Sequence, residues 1–151
     1  MYNTILLPTD GSELFQACVS AGLEFAQQLQ AGVVAVFVAG NYQYPLYVDI
    51  VPANGPTEDE YKIAMQTMAE NYFRPVRDAA AMAGLAYQEV IQFNDSTAKE
   101  IVHTAQEYAC DLIFMGSHGR SGLGQFLLGS VTTKVLSLCQ IPVLVHRIKH
   151  H

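Results

Sequence analysis

The sequence predicts an α/β fold with a parallel sheet, and three observations carry that prediction. First, short unbroken apolar runs recur along the chain: Ile5-Leu6-Leu7-Pro8, Val33 to Val38, Leu112 to Met115 behind Asp111, and Val143-Leu144-Val145 between Pro142 and His146. A run without polar alternation suits a parallel strand buried on both faces. Second, the stretches between these runs have helical periodicity or start with capping residues. Third, the chain has 151 residues, half of them hydrophobic and 15% charged. That is enough for one ordinary domain with a real core, so residues 1–151 are expected to form a single unit.

The elements follow in order. After Ile5 to Pro8, Thr9-Asp10-Gly11-Ser12 has turn chemistry. Leu14, Ala17, Cys18, Ala21, Phe25 and Leu29 recur at helical spacing and give a first helix ending near Gly32. Val33 to Val38 is a strand rich in β-branched residues. Gly40 to Pro56 breaks the rhythm with three prolines, two glycines and Tyr42, Tyr44 and Tyr47. So long a loop is commonly functional or mobile, and Tyr42 to Pro56 is expected to be a flap, a partner surface or an ordinary covering loop.

Thr57-Glu58-Asp59-Glu60 reads as a capping box, and Tyr61, Ala64, Met65, Met68 and Tyr72 line the helix after it. Pro75 is expected to kink or divide that helix, and Gly84 to end it. Leu85 to Phe93 gives a third, weaker strand. Thr97 with Glu100 forms a second capping box, with Ile101, Ala105, Tyr108 and Ala109 on the helix. A strand over 111–115, a helix over Val131 to Leu138 and a strand over 142–146 complete five strands and four helices. Such alternation implies helices on both faces of the sheet.

Composition narrows the function. The formal charge is −6 with scattered Lys and Arg, and a nucleic-acid backbone or anionic membrane would require a basic face. No apolar run reaches the ~20 residues of a membrane span, no signal peptide is expected, and a cytoplasmic location follows. Cys18, Cys110 and Cys139 lack metal-type spacing and are expected to be reduced, with Cys18 and Cys139 on apolar helical positions. His150 and His151 receive no function.

The most specific signal is Gly116-Ser117-His118-Gly119-Arg120-Ser121-Gly122-Leu123-Gly124, continuing to Gly129-Ser130-Val131-Thr132. It joins a strand to a helix, where backbone amides and a helix dipole favour an anion such as phosphate. No Gly-Lys-Ser/Thr follows the glycines, and Leu127 occupies the third position a dinucleotide fingerprint needs. Neither a nucleophile elbow nor a metal-binding histidine pair is present. The spacing Gly116, two residues, Gly119, nine residues, Gly129-Ser130 resembles the motif of the ATP-binding branch of the universal stress protein family. The resemblance covers almost the whole chain and is strongest from Asp111 to Val145.

That resemblance implies a doubly wound five-stranded sheet in the order 3-2-1-4-5 and a site assembled at its carboxyl end. Pro8, Thr9 and Asp10 would face the nucleoside, Val38 would present its backbone to adenine, and Met115 would pack nearby. Gly116, Ser117, His118, Gly119 and Arg120, with Gly129, Ser130, Val131 and Thr132, would receive phosphates. From the residues themselves, Ser130 is a helix cap or a phosphate ligand. Arg120 bonds phosphate or faces solvent. Asp10 contacts ribose, forms an Asx turn with Gly11, or does both. His118 is a loop side chain without an identifiable acid partner, so no catalytic residue is assigned and any ATP hydrolysis is expected to be slow. Mg²⁺ would arrive with ATP rather than in a dedicated carboxylate cluster.

The reading is an ATP-binding stress-response regulator, with ADP or AMP as other ligands, acting through nucleotide-dependent dimer or partner contacts. The alternatives are a slow ATPase or adenylyl-transfer enzyme, and a nucleotide-independent dimeric scaffold. A homodimer is expected through the last strand, an open apolar edge in this strand order. Val143 and Val145 share one face of it, Pro142 limits the register, and Arg147 and Lys149 restrain further growth.

Overall fold

Side chains alternate across a strand, so an unbroken apolar run feeds two cores at once. In the computed structural model, which describes residues 1–44, 55–118 and 128–147, β1 does this. Ile5 and Leu7 enter one core with Phe15, Cys18, Phe73 and Phe114. Leu6 enters the other, with Val34, Ile101, Ile113 and Val135. Each fully buried aliphatic side chain contributes roughly 1.5–3 kcal/mol relative to exposure.

The chain runs β1 (Thr4–Thr9), α1 (Glu13–Leu29), β2 (Gly32–Ala39), α2 (Glu58–Met82), β3 (Tyr87–Phe93), α3 (Thr97–Glu107), β4 (Leu112–Gly116), α4 (Ser130–Leu138) and β5 (Val143–His146). All neighbours are parallel, and the strand order is β3-β2-β1-β4-β5, as expected. Leu6 sits opposite Val34 on one side and Ile113 on the other. Helices α1 and α2 cover one face, and α3 and α4 the other.

Several local expectations are corrected. The buried stripe of α1 is Phe15, Cys18, Val19, Gly22, Leu23 and Ala26, while Ala17 faces solvent. Ala21, Phe25 and Leu29 of the expected stripe pack partly buried against the same core, and at Gly22 a Cβ would lie 2.6 Å from Leu7 Cδ2, so its absence lets the helix settle against the sheet. Helix α1 ends at Leu29, with Gln30 at φ 55° as the left-handed cap, and Gly32 already belongs to β2. Helix α2 is capped by Thr57 as predicted, but it runs undivided through Pro75. It buries Ala69, Phe73, Val76 and Ala80 rather than its first turns. Strand β3 begins at Tyr87, two residues after Leu85; Leu85 belongs to the turn, where its amide bonds Ala80 O at 3.0 Å.

Two caps shift by one residue. Ser96, not Thr97, caps α3 and accepts from the Lys99 amide at 3.4 Å. Gly129, not Ser130, is the N-cap of α4. Helix α3 also stops at Glu107, leaving Ala109 at φ 52°. Cys139 caps the end of α4 and is half-buried. Burial pushes the Cys18 thiol up to about 12 and Cys110 to about 11, with Asp10 and Asp111 respectively adding to the shift. Such thiols are not nucleophiles near neutral pH.

The amino end of the sheet is closed by Asp111. Its carboxylate accepts from the amides of Asn3, at 2.8 Å, and Thr4, at 3.0 Å. Desolvation alone would raise this carboxyl, but the Thr4 and Asn3 donors outweigh it and hold it below the usual range.

Candidate functional site

At the carboxyl end, strand tips and helix starts surround a cavity of about 400 Å³, within the ~300–1,000 Å³ usual for small-molecule sites. Its position follows from the winding: β1 leads to α1 on one face, and its neighbour β4 leads to α4 on the other. The chain therefore diverges between these strand tips and leaves a crevice.

The tip of β1 contributes Pro8, Thr9 and Asp10 to the wall. Asp10 Oδ1 accepts from the Ser12 amide at 2.9 Å and the Ser12 hydroxyl at 2.7 Å. The Asx turn thus closes on Ser12, and Ser12 in turn caps α1. Thr9 is buried, and its hydroxyl accepts from the Gly11 amide at 3.3 Å. Gly11 has φ +73°, and the Tyr72 ring occupies the space a Cβ would need. Only glycine meets both demands.

Met115 and Gly116 come from the tip of β4, and Gly129 to Thr132 from the start of α4. Two hydrogen bonds pin this helix start to the strand. The Gly129 amide donates to Ser117 O at 2.7 Å, and the Thr132 hydroxyl donates to Gly116 O at 2.9 Å. Ser117 is buried behind the wall, where its amide donates to His146 O at 2.9 Å. It holds the wall together without lining the cavity. His118 does line it. Its Nδ1 pairs with Ser117 Oγ at 3.0 Å, while its buried Nε2 has no partner among the described residues. A buried polar nitrogen without a partner is unfavourable until something bonds it. Gly119 and Arg120 lie outside the described residues, as do Lys149, His150 and His151.

The opposite wall is largely apolar. Val38 lines it with Val36, Phe37, Ile101 and Thr97, and Phe15 adds the first turn of α1. Phe15, Val36, Phe37, Thr97 and Ile101 had not been picked out for the site. Val36 was within reach of the sequence, since residues two apart on a strand share a face with Val38. Thr97 was hidden by its reading as a cap.

Of the described helices, α4 alone has neither a side-chain cap nor an acidic residue in its first turn. Ser12 with Glu13, Thr57 with Glu58, and Ser96 with Glu100 serve α1, α2 and α3. The positive end of α4 thus receives neither a side-chain cap nor an acidic residue from its own first turn where it meets the cavity.

Farther out, Tyr42 donates to Pro56 O at 2.6 Å and Tyr44 to Glu58 at 2.7 Å, their rings edge to face. Both tyrosines bond within the chain; residues 45–54 of the expected flap lie outside the described residues. Among the described residues no group of three or more His, Cys, Asp or Glu is placed to hold a metal, and no helix is long and apolar enough to cross a membrane.

The fold and cleft define a doubly wound α/β domain with its crevice at the carboxyl ends of the strands. The sequence model of the universal stress protein family matches residues 1–147, and the chain belongs to that family of stress-response proteins. Universal stress protein MJ0531 of Methanocaldococcus jannaschii is 31% identical over 150 residues, covering 96% of this chain and 82% of that protein. The solved structure of MJ0577 from the same organism superposes with a TM-score of 0.82 at 28% identity, covering 100% of this chain and 99% of that one. A universal stress protein solved in complex with cAMP gives a TM-score of 0.71 at 25% identity, covering 98% and 99%.

Proposed function

We propose that this chain binds an adenine nucleotide, ATP foremost with ADP or AMP as lesser ligands, and acts as a cytoplasmic regulator of the stress response. The observation that carries the reading is the uncapped, acid-free start of α4 opening into the cavity. Backbone amides at such a terminus bond phosphate without a basic surface. This reconciles an anionic ligand with a net charge of −6. His118 Nε2 offers a further polar contact at the same wall. Val36, Val38, Ile101 and Met115 offer a planar base an apolar bed. The cAMP complex of a relative supports a ligand of this class. In this reading Gly119 and Arg120 complete the phosphate side, and Asp10 faces the sugar.

The donor set fits a divalent cation held chiefly by the nucleotide's own phosphates, since Mg²⁺ needs only one or two protein oxygens. Hydrolysis is slow in this account, because His118 pairs with a serine hydroxyl rather than an acid. The test is mass spectrometry of small molecules released from freshly purified, denatured protein. An adenine nucleotide near one per chain is expected; its absence, together with no binding of added ATP, overturns the reading.

A homodimer through β5 completes the proposal. β5 hydrogen-bonds to β4 and ends the sheet, and Leu136 and Leu138 of the preceding helix are 42% and 47% exposed. Pairing two such edges about a two-fold axis satisfies both. Light scattering should give twice the chain mass at micromolar concentration, and a monomer with or without ATP contradicts it.

A further inference from the structure

We propose that the Thr97 hydroxyl contacts the purine base, so that Thr97 is a binding residue on the wall facing the phosphates. The inference rests on the adenine-nucleotide reading above. It starts from the corrected cap: because Ser96 caps α3, the Thr97 hydroxyl is not spent on the helix backbone. Thr97 lines the cavity, and its hydroxyl has no hydrogen-bond partner among the described residues. Thr97 shares this wall with Val36, Val38 and Ile101, and among these four its hydroxyl is the polar side-chain group.

Sheet order fixes which part of a nucleotide comes here. β2 and β4 flank β1, and strands are spaced by about 4.8 Å, so the walls stand roughly 10 Å apart. Phosphates at α4 leave the base to reach toward β2 and the start of α3. The α3 terminus is the poorer phosphate site, being capped by Ser96 and carrying Glu100, which accepts from Asn94 at 2.9 Å. A base entering in this direction leads with the edge remote from its sugar. For adenine that side offers N1, an acceptor, and the 6-amino group, a donor. A threonine hydroxyl can donate to the first or accept from the second.

The test compares wild type with Thr97→Val, which keeps the shape and removes the hydroxyl, and Thr97→Ser, which restores it. Each protein is titrated calorimetrically with ATP, 1-deaza-ATP and purine riboside triphosphate, the last lacking the 6-amino group. Thr97→Val should weaken ATP binding about three- to tenfold, the range of one net hydrogen bond, and Thr97→Ser should recover most of it. At least one analogue should lose affinity in wild type but lose little further in Thr97→Val, the mark of a coupled pair. Equal ATP affinity in wild type and Thr97→Val, or undiminished analogue losses in Thr97→Val, overturns the proposal while leaving the nucleotide reading standing. Wild type that binds none of the three removes that reading, and Thr97 with it. Circular dichroism confirms folding; Thr97→Ala serves as a second deletion if the valine variant is unstable.

Discussion

The two ends of the sheet differ in how completely they pair their polar groups. At the amino end, Asp111 accepts from the Asn3 and Thr4 amides and leaves that edge satisfied. At the carboxyl end, α4 starts without a side-chain cap, His118 Nε2 is buried without a described partner, and the Thr97 hydroxyl is unpaired among the described residues. Polar groups that the chain pairs internally contribute to stability. Those left unpaired around a cavity cost stability until a ligand engages them. The contrast therefore divides structure from function within one domain.

The largest expected effect comes from giving the carboxyl end what the other helices already have. Gly129 has φ −60° and ψ 156°, an ordinary extended conformation for an N-cap. Gly129→Asp would cap α4 and set a carboxylate against incoming phosphate. Like charges about 4 Å apart repel by about 4 kcal/mol at an effective dielectric of 20. ATP affinity should fall more than about a hundredfold, while thermal stability holds or rises by a few tenths of a kcal/mol. Calorimetry and a thermal melt on the same sample check both, and a parallel loss of stability and binding would erase the contrast.

The converse change belongs at the amino end. Asp111→Ala leaves the Asn3 and Thr4 amides without their acceptor and should cost about 1–3 kcal/mol in urea unfolding. ATP affinity should remain within about twofold, because no residue of the cavity changes. A large loss of binding would couple the two ends after all.

The smallest effect refines the same comparison through pH. The Asp111 carboxyl is held below its ordinary range in the folded chain. Its stabilisation is therefore complete above the unfolded value of about 3.9 and is lost as pH falls through the lower folded value. The stability gap between wild type and Asp111→Ala should be constant from neutral pH to about 5 and narrow below about 4. A gap independent of pH would mean that charge contributes nothing there.

The sequence made the strands legible because β1, β2 and β4 are buried on both faces and show unbroken apolar runs. Strand β3 was read less well: it is an edge strand, mostly half-buried, and its pattern is correspondingly weak. Both displaced caps fall where two competent residues adjoin, Ser96 beside Thr97 and Gly129 beside Ser130. Composition cannot choose between such neighbours, because the choice depends on where the backbone turns into the helix. The α1 stripe was read too narrowly: Cys18 is in the core and Ala21, Phe25 and Leu29 pack against it, but Phe15, Val19, Leu23 and Ala26 are buried beside them. A helix this apolar offers two overlapping stripes. At the site, the glycine spacing pointed to the wall built by β4 and α4. The facing wall depends on α3 approaching β2, a tertiary contact with no local pattern, so Thr97, Ile101 and Val36 went unassigned.

The central claim is that the open end of this sheet is completed by an adenine nucleotide. Its most direct test is an isothermal titration of ATP into wild-type protein first unfolded, freed of small molecules by dialysis and refolded. The account predicts saturable binding of one ATP per chain. A correctly refolded protein that takes up no ATP would contradict it.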